Sequence, residues 1–174
     1  MPRNQSTALP VAYVVLRILI VLNWVYGAML LALLSYTFVN EQWTFRALGI
    51  PAVDQSMPVV WGMRAVAALG ILTVPINLAM LTRLLAMVGT VRAGNPFVAA
   101  NAYRLNAIAW MLLGLQLISL VIAAIGKAIS TSQHSFHLDA GFSPGGWLAV
   151  ILTFVLARVF AEGTLMREDL EGTV

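Results

Sequence analysis

Cysteine is absent from the 174 residues of this chain, and only 10% of them are charged. The first absence excludes disulfides and thiolate ligation, and is compatible with loops outside the cytoplasm. The second excludes a soluble globule, which normally carries about 25% charged residues. With 60% hydrophobic residues and a mean hydropathy of +0.88, too little polar surface remains to coat one. Also missing is any internal repeat that would suggest two inverted halves, an arrangement common among secondary transporters. No Ser-His-acid set, paired carboxylates, phosphate-cradling glycine loop or redox pair can be assembled at one membrane face. An enzyme is therefore the disfavoured class, and no cofactor is implied.

What the chain does contain is four long apolar runs. They predict an all-α polytopic membrane protein, a single domain over residues 1–174, with helices at about 11–36, 59–83, 102–126 and 147–163 and a tail at 164–174. The first run is too long for the apolar core of a cleaved signal, about 7–15 residues, and Arg17 and Asn23 interrupt it. It reads as a retained span. Pro75 lies within the second run, where it would free the Ile71 carbonyl and kink the helix, a packing feature before it is a gating one. Tyr36 and Trp43 suit an interfacial aromatic belt, and Trp43 to Gly49 suggests a short surface turn.

The chain is organised around the polar connector between the second and third runs, RLLAMVGTVRAGNPFVAANAYR from Arg83 to Arg104. It carries Arg83, Arg92 and Arg104, no acid, a Gly94-Asn95-Pro96 turn, and Asn101 as a candidate N-cap for the third helix. Such a connector belongs in the cytoplasm. With both termini inside, seven arginines (Arg3, Arg17, Arg83, Arg92, Arg104, Arg158, Arg167) face the cell interior, and Arg46, Arg64 and Lys127 face outward. Inversion would reverse that ratio. The expectation is an antiparallel four-helix bundle with cytoplasmic termini. The net charge of +3 and pI near 9.8 serve orientation; without a dense basic stripe, direct nucleic-acid binding is not expected.

Four polar side chains, Asn23, Asn77, Gln116 and Thr153, fall near mid-depth, one on each helix. An unpaired amide is costly in hydrocarbon, so they are expected to face inward and bond across helices. A polar path for a solute is the functional alternative, although no ionisable residue accompanies them. Ala65, Ala68, Gly114, Ala123 and Ala124 would permit close helix contact, within one chain or in a homo-oligomer. In the second outer loop, His134, His137 and Asp139 are the candidates for zinc or copper; a solvated loop without metal is the simpler reading. The tail, ARVFAEGTLMREDLEGTV, combines Phe160, Leu165, Met166 and Leu170 with Glu162, Glu168, Asp169 and Glu171. Arg158/Glu162 and Arg167/Glu171 have helical i,i+4 spacing. The tail reads as a solvated helix end or a docking element, held on the connector or offered to a partner.

The ending LARVFAEGTLMREDLEGTV, with GNPFVAANAYRLNAIAW before it, resembles the bacterial domain of unknown function 2975 family, small four-helix membrane proteins. The likeness covers nearly the whole chain. Its specific part lies at Gly94, Pro96, Phe97, Asn101, Arg104 and Leu105, and at Phe160, Gly163, Glu168 and Asp169; the first helix and outer loops match only in being apolar or variable. The resemblance implies no established activity. It does imply a cytoplasmic partner, since relatives are often encoded beside a small helix-turn-helix transcription regulator. The expectation is therefore a non-enzymatic protein of the bacterial inner membrane that binds such a regulator through Arg83, Arg92, Arg104, Glu162, Arg167, Glu168, Asp169 and Glu171. A small transporter or channel subunit, and an accessory subunit of a larger complex, are the alternatives.

Overall fold

The computed structural model describes residues 8–40, 42–43, 46, 57–130 and 140–171. Four long helices dominate them: α1 (Ala8–Val39), α2 (Met57–Arg92), α3 (Ala99–Ile129) and α4 (Pro144–Glu171). Each is long and apolar enough to cross a bilayer. Apolar side chains also point outward along every one. Val14, Ile18 and Leu22 on α1, Leu72 on α2, Leu117 and Val121 on α3, and Ile151 and Val155 on α4 are about half exposed or more. In water such faces would aggregate; in lipid they are solvated, and the helices satisfy their own backbone groups. The chain is a multi-pass membrane protein.

The helix starts follow proline chemistry. Pro10, Pro58 and Pro144 all lie in a first turn, where a missing N–H leaves no bond unmade. Each helix outruns its apolar stretch by a few residues or more, because the bilayer limits the apolar side chains and not the hydrogen-bond ladder. The excess is greatest in α2. Its 36 residues extend about 54 Å against a hydrocarbon core of about 30 Å, and it passes Pro75 without interruption. Likewise α4 continues to Glu171, so much of the tail is helix.

The chain divides into two compact units. The first comprises residues 1–23, 77–113 and 145–174. Its core holds Leu105, Ile108 and Ala109 of α3 with Val150 and Ala157 of α4. Trp110 and Phe154 meet edge to face there, centroids 5.4 Å apart. Arg17 donates to the Tyr13 hydroxyl at 2.7 Å, and the Arg92 guanidinium sits over the same ring, 5.2 Å from its centroid.

The second unit comprises residues 24–76 and 114–144. Here glycines receive branched side chains from neighbouring helices. A Cβ at Gly27 would lie 2.9 Å from Val74, one at Gly62 would lie 2.5 Å from Ile129, and one at Gly70 would lie 3.1 Å from Leu30. Close approach at small residues is how helices attract in lipid, where no hydrophobic force separates them from solvent. The sequence pointed to other small residues. Ala65, Ala68 and Ala124 are exposed, Gly114 faces open space, and Ala123 lies against the loop glycine, Gly141. Val59 and Val60 are almost fully buried at the start of α2. Tyr36 and Trp43 stack edge to face at 5.1 Å, and the Trp43 amide donates to Asn40 Oδ1. The rest of the predicted Trp43–Gly49 turn lies largely outside the described residues.

Candidate functional site

The connector is built by an αL cap. Gly94 has φ +81°, a conformation that favours glycine. Its amide donates to the Val91 carbonyl at 3.0 Å, and the Asn95 amide to the Thr90 carbonyl at 3.0 Å. These two bonds form a Schellman motif that closes α2, and Pro96 then prevents its resumption. The turn is as the Gly-Asn-Pro sequence suggests.

Asn101 does something other than cap. α3 begins at Ala99, two residues before it, so Val98 precedes the helix and accepts the Asn101 amide at 2.8 Å. The Asn101 side chain, wholly buried, is left to join three segments. Its Nδ2 donates to Thr90 Oγ1 on α2 and to the Pro96 carbonyl in the turn, each at 2.8 Å. Its Oδ1 accepts from Arg104 at 2.8 Å. The N-cap expectation fails because α3 already begins at Ala99, which places Asn101 inside its first turn, and the amide becomes the clamp of the hairpin.

α4 closes on this hairpin within the same unit. Phe97 stacks on Phe160, centroids 5.3 Å apart. It also lies so near Gly163 that an added Cβ would be 3.0 Å from its ring. One turn further along, both terminal nitrogens of Arg167 reach Asn95 Oδ1 at 3.5 Å, a long and weak contact. Tail and connector thus meet through a ring, a glycine and an amide.

The connector arginines have other occupations. Arg83 turns back to the Ala79 carbonyl of its own helix, 2.9 Å away, and approaches Met111 Sδ. Arg104 is on Asn101 and Arg92 over Tyr13. Glu162 pairs with Arg158 on its own helix at 2.8 Å. Asp169 is exposed, whereas the side chains of Glu168 and Glu171 lie outside the described residues, as do His134, His137 and Asp139.

Among the intramembrane polar residues, Asn23 is buried and Asn77, Gln116 and Thr153 are half-buried. Thr153 donates to the Ala149 carbonyl of its own helix at 2.7 Å, which corrects the cross-helix role expected for its hydroxyl proton. Gln116 keeps a buried Nε2 that has no hydrogen-bond partner among the described residues. A polar contact that does cross helices in the second unit is made by Arg64. It donates to the Thr37 carbonyl at 2.9 Å, at the end of α1, beneath the rings of Phe38 and Trp61. From the sequence Arg64 appears only as an interfacial charge; the signal that could have revealed it is the lack of any basic residue in the last turn of α1. Comparison with protein families, curated proteins and solved structures finds no match to this chain.

Proposed function

We propose that this is a non-enzymatic scaffold of a bacterial inner membrane, an antiparallel four-helix bundle with both termini cytoplasmic. Its connector and α4 end form one docking face for a cytoplasmic helix-turn-helix regulator. The single observation that supports this reading is the clamped hairpin itself. Asn101, Phe97 and Arg167 hold a six-residue turn and a helix end in one arrangement. Ordering a surface in advance reduces what binding must order later. The resemblance to the domain of unknown function 2975 family, whose specific residues fall on these two segments, supports the same partner. Orientation rests on the seven-to-three asymmetry of basic residues.

The test is recruitment of the regulator to membranes by the full chain and by a chain ending at Met166. Loss of recruitment with the truncation supports docking, and unchanged recruitment overturns it. Reporter fusions within the connector and at the C-terminus should be active on the cytoplasmic side. The second reading, a solute path, draws on the buried Gln116 Nε2, which has no hydrogen-bond partner among the described residues. It predicts flux in proteoliposomes that falls on Gln116→Leu.

A further inference from the structure

Between α3 and α4 in the first unit lies an open groove of about 520 Å³, within the ~300–1,000 Å³ typical of small-ligand sites. Ala157 and Ala161 narrow the α4 wall to methyl groups, and Tyr103 and Asn106 edge the α3 side. Thr164 contributes to the wall without offering a free donor, since its hydroxyl donates to the Phe160 carbonyl at 2.8 Å. The one charged wall residue is Arg158, whose Nε donates to Glu162 at 2.8 Å. Both side chains remain largely accessible, at 78% and 52%.

We propose that this groove binds one phospholipid with a zwitterionic, primary-amine headgroup, phosphatidylethanolamine, with phosphate on Arg158 and ammonium on Glu162. The argument is charge order along the helix. Arg158 lies one turn closer than Glu162 to the apolar stretch of α4, about 6 Å along the axis. In a phospholipid the phosphate likewise lies closer to the chains than the amine does. Among the described residues only Nε of Arg158 is engaged, which leaves its four terminal N–H donors for phosphate oxygens. The second carboxylate oxygen of Glu162 remains to accept from an ammonium. Ala161 leaves space beside the headgroup, and toward the apolar stretch of α4 the wall continues with Ala157 and Phe154, along which an acyl chain would lie. An anionic headgroup would bring its charge against Glu162 without an amine to offset it, and a choline has no N–H to donate. The assignment requires only that α4 crosses the bilayer. It holds whichever end faces the cytoplasm and whether or not a regulator docks, so its failure leaves the docking reading untouched.

The experiment is native mass spectrometry of the full chain in mild detergent, titrated with ethanolamine, choline and glycerol phospholipids of identical chains. Retention is expected to rank ethanolamine first. Glu162→Gln should lower ethanolamine retention roughly three- to ten-fold, to the choline level, because the lost contact is a partly exposed charge pair. Arg158→Gln should weaken ethanolamine and choline lipids alike, and Ala161→Leu should fill the groove and weaken all three. Glu162 is half exposed, so its replacement leaves the fold intact and decides the matter even if Ala161→Leu misfolds. Retention of the glycerol lipid equal to or above ethanolamine overturns the proposal, as does Glu162→Gln without effect. A dimer that dissociates on Ala161→Leu would assign the groove to a second copy and overturn it too.

Discussion

Replacing Asn101 with alanine should open the connector. The side chain makes two bonds to neutral groups, Thr90 and Pro96, and one to the charged Arg104, all at 2.8 Å in a fully buried position. Neutral bonds contribute about 0.5–1.5 kcal/mol each and a bond to a charged group about 1.5–3 kcal/mol. The gross sum is thus about 2.5–6 kcal/mol. Arg92, Gly94 and Asn95 are exposed beside it, so water re-solvates part of what is lost. A net cost of about 2–3 kcal/mol is expected, which raises the open population by roughly two orders of magnitude. Trypsin reads this directly, because Arg92 sits in the last turn of α2 and Arg104 in the second turn of α3. When opening is fast relative to cleavage, the cutting rate follows the open population. Asn101→Asp keeps the acceptor for Arg104 and loses both Nδ2 donors, so it should fall between wild type and alanine. Cleavage at Arg92 unchanged within about two-fold in Asn101→Ala would refute the clamp.

Gly62→Ala should lower the midpoint of unfolding in mixed micelles by an amount equivalent to about 1–3 kcal/mol, because the new methyl meets the rigid Ile129 at 2.5 Å. Trimming Ile129 to alanine in that background should recover part of the loss, and additive losses would contradict the contact. Gly114→Ala, with nothing within 4 Å, should instead be neutral or stabilising by up to about 1 kcal/mol. Gly163→Val should displace Phe97 from Phe160 and accelerate trypsin cleavage after Arg167, whereas unchanged cleavage there would show that the tail is held elsewhere. Arg64→Leu leaves the Thr37 carbonyl without its guanidinium and should cost about 1.5–3 kcal/mol in the same unfolding assay; lysine, lacking the planar fork, should restore only part.

The helical class and the four spans were legible because apolar run length is a one-dimensional signal that the bilayer reads directly. Helix ends were less so. Hydropathy marks where lipid stops, while α2 keeps its ladder to Arg92 and stops where Gly94 adopts positive φ. The turn itself was legible from Gly94 and Pro96, since both act through local backbone constraints. Asn101 was not, because an amide before a helix has the same sequence appearance whether it caps the helix or bridges to Thr90, eleven residues away. The glycines carried the least readable information. Gly62 and Gly114 are equivalent letters within long helices, yet one receives Ile129 and the other faces open space. Only the crossing of two helices decides between them.

The sequence suggests attraction between connector arginines and tail acids, but Arg83 and Arg104 are drawn onto the neutral oxygens of Ala79 and Asn101. Phe97, Phe160 and Gly163 supply the contact to α4, and Arg167 meets an amide oxygen. Aromatic packing and hydrogen bonds to neutral acceptors respond weakly to screening. Separated surface charges respond strongly, because the Debye length falls from about 10 Å at 0.1 M salt to about 3 Å at 1 M. Trypsin cleavage at Arg92 should therefore change little across that range once the protease's own salt response is subtracted with an unstructured arginine peptide. A partner recruited by the exposed Asp169 and its acidic neighbours should be released over the same range. A connector that opens in parallel with partner release would mean that charge, not Asn101 and Phe97, holds the hairpin against α4.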